Sequence, residues 1–234
     1  MCSAVNTTLF QPSGYTIPGI PALFLLLSGI LILTGCRNRQ REYYPDGALK
    51  SEITVRHGLY DGPAVFYFED GTRQMECTYI SGKLDGPMNR YYNTGKRMES
   101  MFYRTNRPDS LFRAWDPKGN LILLCNYRDS LLDGPYTEFY PEGGIKARGQ
   151  FSGGLFDGKW MYFSPEGNIA GLGEFTRGTG TQRSWYGSGS LRQVVHYRNG
   201  LKDGPEQTFD TSGILITEQV FREGNLVPVI RPQK

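Results

Sequence analysis

One spacing governs this chain. Gly47, Gly71, Gly95, Gly119, Gly143, Gly167, Gly189 and Gly213 stand 24 residues apart, with a single interval of 22 between Gly167 and Gly189. Four residues before each glycine comes an aromatic: Tyr43, Tyr67, Tyr91, Trp115, Phe139, Phe163, Trp185 and Phe209. Eight residues after each comes a second column, Val55, Tyr79, Tyr103, Tyr127, Phe151, Phe175, Tyr197 and Phe221. Self-similarity at such a period means an array of one supersecondary unit, in which each copy buries its apolar face against its neighbours. Composition enters only to exclude alternatives. Aromatics at 13%, with 26 Lys+Arg against 23 Asp+Glu, do not suit a disordered chain. The 30 glycines keep no triplet period, which excludes collagen. A net charge of +3 without a basic cluster predicts no nucleic-acid partner.

Within each unit two strands are legible. The first is short, as in Ala64–Phe68, and its turn is of the form x-x-Gly, as in Pro45-Asp46-Gly47, where glycine supplies a positive φ. The second alternates: Met75, Cys77 and Tyr79 share one face, and Leu215, Thr217, Gln219 and Phe221 keep apolar ends on that face. A further turn signal, Asp-Gly-Pro/Lys, recurs at Asp61, Asp85, Asp133, Asp157 and Asp203. It is degenerate at Asp109-Ser110 and shortened at Gly178-Thr179-Gly180, which accounts for the interval of 22. No helical period follows Tyr43. The pattern predicts an all-β fold: an elongated, single-sheet antiparallel β-meander of about eight two-strand units and about sixteen strands. The aromatic columns are expected to stack from unit to unit and supply the core, with Tyr79, Tyr127 and Phe151 buried in one column.

These motifs resemble the MORN repeat in its bacterial variant form. They stand here as Tyr43-Tyr44-Pro45-Asp46-Gly47 and as Tyr79-Ile80-Ser81-Gly82-Lys83-Leu84-Asp85-Gly86-Pro87, over residues 42–228. The resemblance extends to YwqK-type antitoxin-like lipoproteins. It implies a non-enzymatic repeat protein that binds a partner, and the label of that family implies an antitoxin that binds its toxin.

The N-terminal segment reads differently. Residues 1–36 carry no charged side chain, and Ala22–Thr34 is an almost unbroken apolar run. Thirteen helical residues span ~20 Å, short of a ~30 Å hydrocarbon core. A signal-peptide apolar region fits that length. Leu33-Thr34-Gly35-Cys36 resembles the lipobox of bacterial lipoproteins, which implies lipidation at Cys36 and residence in the bacterial cell envelope. Against this, no basic residues precede the run, and Arg37, Arg39 and Arg41 follow it. That asymmetry favours an uncleaved single-pass anchor with a cytoplasmic array. A misplaced start is the third reading. The expected division is thus a signal peptide or membrane anchor over 1–36, a basic linker over 37–41, the array over 42–228 and a C-terminal cap over 229–234. The linker is either solvated or seated on anionic headgroups.

The array shows no catalytic constellation. His57 and His196 are far apart in the register. The recurrent aspartates read as turn residues that bond their own backbone, not as calcium ligands. Cys77 and Cys125 occupy equivalent positions two units apart, ~19 Å by strand spacing, too far for a disulfide. They read as small core residues. Gly178-Thr179-Gly180 and Gly187-Ser188-Gly189 precede no helix and are not phosphate loops. No cofactor, metal or enzymatic activity is expected. The function expected is a membrane-tethered scaffold that offers its β surface to a protein or cell-envelope partner, or alternatively an antitoxin. At the C-terminal edge, Leu226-Val227-Pro228 starts one more strand, and Pro228 and Pro232 blunt it.

Overall fold

The structure is a computed structural model and describes residues 38–228. The expected apolar helix, the lipidation site Cys36 and the cap over 229–234 lie outside the described residues. Everything described is strand or turn, and none of it is a helix long and apolar enough to cross a membrane. Eighteen strand segments form one open antiparallel sheet in meander order. In chain order they are β1 (Asn38–Tyr43), β2 (Leu49–Arg56), β3 (Leu59–Tyr67), β4 (Arg73–Ile80), β5 (Lys83–Leu84), β6 (Gly86–Tyr91), β7 (Arg97–Arg104), β8 (Arg107–Trp115), β9 (Leu121–Arg128) and β10 (Leu131–Phe139). They continue with β11 (Ile145–Ser152), β12 (Leu155–Phe163), β13 (Ile169–Thr176), β14 (Thr179–Trp185), β15 (Leu191–Arg198), β16 (Leu201–Phe209), β17 (Leu215–Arg222) and β18 (Asn225–Val227).

The all-β meander is the fold the period predicts. The strand number exceeds the expected sixteen by two, through one divided strand and one extra edge strand, and the first strand starts earlier than expected. Asn38–Arg41, read above as linker, belong to β1, which pairs with β2 from Asn38↔Val55 onward. A break at Asp85 divides one strand position into β5 and β6, and both pair with β4. Residues 225–227 form β18 on the edge of β17.

Two kinds of turn alternate. At one edge every hairpin closes with two residues of positive φ: His57-Gly58, Ser81-Gly82, Thr105-Asn106, Asp129-Ser130, Gly153-Gly154, Arg177-Gly178, Asn199-Gly200 and Glu223-Gly224. This is the turn whose twist matches that of antiparallel strands. At the other edge the x-x-Gly loops close tightly. The Gly47 N–H donates to Tyr44 O at 2.9 Å, and the Tyr44 N–H donates to Ala48 O at 2.8 Å. The Asp-Gly-Pro signature is not a turn. It lies inside the first strand as a bulge: Val55 opposes Tyr60 and Ile53 opposes Ala64, so the intervening residues have no counterpart on that side. In β14 two residues are missing from this segment, and its pairing with β13 runs without a register shift from Thr176↔Thr179 to Gly171↔Ser184.

The core occupies one face. Its central row contains Ile53, Ala64, Cys77, Met88, Met101, Phe112, Cys125, Tyr136, Trp160 and Val195, all buried. Sizes along it are complementary. The first-strand positions swell from Ala64 through Met88, Phe112 and Tyr136 to Trp160, while the facing second-strand positions shrink from Ile53 to Gly149 and Gly173. Ten ring pairs from Tyr136 to Tyr197 and neighbouring units fill the middle, including Phe151 stacked on Phe156 at 5.0 Å and Phe156 on Phe175 at 5.2 Å. Cys77 and Cys125 are free and buried within this row. Burial pushes the Cys77 thiol up to about 11 and the Cys125 thiol up to about 12. Both stay protonated, and so unreactive, at neutral pH.

The row fades at the C-terminal end. Gln182 is buried, Glu206 is half-buried, and Leu215, Thr217 and Gln219 are exposed. The apolar ends of the last unit, Leu215 and Phe221, are thus exposed and half-buried, with β17 flanked only by β16 and the three-residue β18 among the described residues.

Candidate functional site

The first structural surprise concerns the two aromatic columns. Of the second column, Tyr79, Tyr103, Phe151, Phe175 and Tyr197 are buried on the core face, whereas Tyr127 and Phe221 are half-buried. Tyr127 nonetheless shares that face, edge-on to Phe112 at 6.1 Å. The first column does not supply core. Tyr67, Tyr91, Trp115, Phe139, Phe163, Trp185 and Phe209 are half-buried, and Tyr43 is 58% exposed. The reason is the pleat: Phe163 lies three residues beyond buried Trp160 on the same strand, and an odd step changes face. Polar contacts agree, since the Tyr91 hydroxyl donates to the Glu76 carboxylate at 2.8 Å on the face opposite Cys77.

This second face is built on one continuous cross-strand row. Successive partners run from Arg41 through Glu52, Val65, Glu76, Asn89 and Ser100 to Arg113, then Leu124, Thr137, Arg148, Met161, Leu172, Arg183, Val194, Gln207 and Glu218. Directly opposed residues share a face, so these side chains line a single stripe. The aromatic column runs beside it. Arg97 stands over the Trp115 ring at 5.5 Å and Arg148 over the Phe163 ring at 5.5 Å, each a cation–π contact. The acids lie toward the ends: Glu52 receives Arg39 at 2.6 Å and Arg41 at 2.8 Å. The Arg41 hydrogen bond holds the Glu52 carboxyl below its ordinary range.

What holds the face rigid is contact between units, and the aspartates carry part of it. Their expected bonds to their own backbone are replaced by bonds to the next unit. Asp85 accepts from the Thr105 N–H at 3.1 Å, Asp133 from Gly153 at 3.3 Å, Asp157 from Arg177 at 3.0 Å and Asp203 from Glu223 at 3.4 Å. Backbone bonds follow the same edge, as in Gly82 N–H to Tyr60 O at 2.7 Å and Gly154 N–H to Leu132 O at 2.8 Å. At the opposite edge, Tyr44, Tyr92, Tyr140 and Tyr186 donate their hydroxyls to the carbonyls of Tyr67, Trp115, Phe163 and Phe209. These tyrosines occur in every second unit, so the staple has a period of two units. His57 sits in a turn, and His196 bonds Pro205 O at 2.9 Å. Among the described residues, no three His, Cys, Asp or Glu side chains converge as a metal site. The arrangement can present a surface.

Comparison with known proteins agrees with the hairpin as the unit. No curated protein matches the chain. Among solved structures, a chain in the crystal structure of TcdB2-TccC3-Cdc42 is similar at 11% identity over 79% of this chain, with a TM-score of 0.23. This chain spans 12% of that one's length. A likeness so slight carries no argument. The family described as MORN repeat variant matches residues 38–57, 60–81, 132–152 and 179–199. Each match covers a first strand and the second strand after it: β1–β2, β3–β4, β10–β11 and β14–β15. The chain is thus a repeat protein, four of whose hairpins carry the MORN repeat variant pattern.

Proposed function

We propose that the protein is a non-enzymatic scaffold, tethered to a membrane through its N-terminal segment, which offers the face opposite its core to a protein or cell-envelope partner. One observation carries this reading: among the described residues, the face opposite the core is lined by half-buried aromatics and by Leu172, which is 41% exposed. Large apolar surfaces with polar surroundings mark interaction sites. The tether rests on the apolar run and Cys36, two residues before β1.

A photo-crosslinking amino acid at Leu172 tests the scaffold in cells, with the same group at Leu59, on the turn edge, as control. Discrete protein adducts from position 172, absent from position 59, are expected. No adduct, or the same adducts from both, contradicts the reading. Metabolic palmitate labelling, with Cys36→Ala as control, tests the tether. Label on the wild type that vanishes in the variant is the expected result, and equal label on both removes the lipid anchor. Capture of a co-expressed small toxin at position 172 would turn the scaffold into an antitoxin.

A further inference from the structure

The stripe on the open face has a charge pattern that names its partner. Arg113 on β8, Arg148 on β11 and Arg183 on β14 recur at every third strand, and all three are exposed. Many of the array's other arginines find carboxylates, among them Arg39 and Arg41 on Glu52, Arg56 on Asp61, Arg104 on Asp109, Arg128 on Asp133 and Arg198 on Asp203. Among the described residues, no carboxylate pairs with Arg113, Arg148 or Arg183. Between them the row holds Leu124, Thr137, Met161 and Leu172, with no acid from Ser100 to Gln207. In the adjoining row, Asp157 stands opposite Gln150 and Glu174 opposite Lys159.

We propose that this stripe binds an extended acidic peptide segment of a partner protein, laid across the strands, with carboxylates on the three arginines and apolar side chains between them. The proposal rests on the scaffold reading and specifies its partner. Spacing favours a peptide. Three strand intervals of ~4.8 Å set neighbouring arginines ~14 Å apart, and four residues of extended chain advance ~13–14 Å. Residues four apart in an extended chain also point to one side, and the residues midway between them meet the apolar positions. A nucleic-acid strand carries a charge every ~3.4 Å, so three arginines so widely spaced would meet few of its phosphates. Guanidinium groups suit carboxylates, because both are planar and can pair through two parallel hydrogen bonds.

Fluorescence anisotropy with the full-length protein in detergent micelles tests this. The probe is a labelled twelve-residue peptide with glutamates at positions 2, 6 and 10, leucines at 4 and 8, and serine or threonine elsewhere. The combined variant Arg113→Gln, Arg148→Gln and Arg183→Gln should keep its melting temperature, because the three side chains are exposed, and should bind the peptide at least about fivefold more weakly. A peptide with glutamines in place of the glutamates should show the same loss on the wild type. Equal affinity of wild type and variant, or no saturable binding at all, overturns the proposal. So does equally tight binding of a twelve-residue polyglutamate or of a twelve-nucleotide oligothymidylate, either of which would mean a general polyanion surface. If the adducts from Leu172 survive in the arginine variant, the acidic peptide is refuted while the scaffold stands.

Discussion

Replacing Gly149 with alanine should destabilise the middle of the array by about 3 kcal/mol or more, at the upper end of the cost of overpacking a core. A β-carbon at this position would lie 2.2 Å from Cδ2 of Trp160 and 2.3 Å from its Cε2. That is the body of a ring fixed on all sides, not the tip of a mobile chain. Trp160 cannot withdraw, since Tyr136, Phe151 and Phe156 hold it at centroid distances of 5.5, 5.0 and 4.8 Å. Its indole N–H also donates to Gln150 O at 3.0 Å. Gly149 has an ordinary negative φ, so the effect would come from space alone. Urea unfolding followed by tryptophan fluorescence reads it as a lowered midpoint. An unchanged midpoint would mean that the ring does not lie on the glycine.

Removing the ring should cost a comparable amount. Trp160 is 2% exposed, sits over Gly149, and stands opposite Gly173, which the Phe175 ring covers. Trp160→Ala leaves a cavity between two glycines that cannot fill it, and about 3–5 kcal/mol is expected. The two changes are coupled in a definite direction. Once the ring is gone, the alanine methyl at position 149 meets open space, so the double variant should be clearly more stable than the sum of the single losses implies. Strict additivity would place the two residues apart. Because units touch mainly their neighbours, both variants should loosen β11–β13 before the ends of the array.

Those two residues show what a sequence can and cannot disclose here. The period, the two strands per unit and the glycine-containing turns are all written at fixed offsets, and the meander follows from them. The face of the first aromatic column was also available, since Trp160 and Phe163 differ by an odd number of residues. It was obscured because aromatics at both offsets look equally like core. The pairing of Trp160 with Gly149 and Gly173 needs the register, which the Asp-Gly-Pro bulge resets in each unit. The aspartates carry a local turn signature, yet their acceptors serve a turn twenty residues on, a contact that only unit stacking creates. The arginine stripe was least legible. Arg113 and Arg183 share one offset, two residues before Trp115 and Trp185, whereas Arg148 stands on a second strand, so no single column of the repeat reveals the stripe.

The account as a whole depends on one face being core and the other open, and hydroxyl-radical footprinting of the native protein read by mass spectrometry tests this residue by residue. Trp115, Trp185 and Phe163 should be oxidised readily in the native protein. Trp160, Phe151 and Phe175 should be protected, and should react only after denaturation. Equal protection of the two groups would mean that a second layer covers the supposed open face, and equal reactivity would mean that the core face is not packed; either result would contradict the two-faced array.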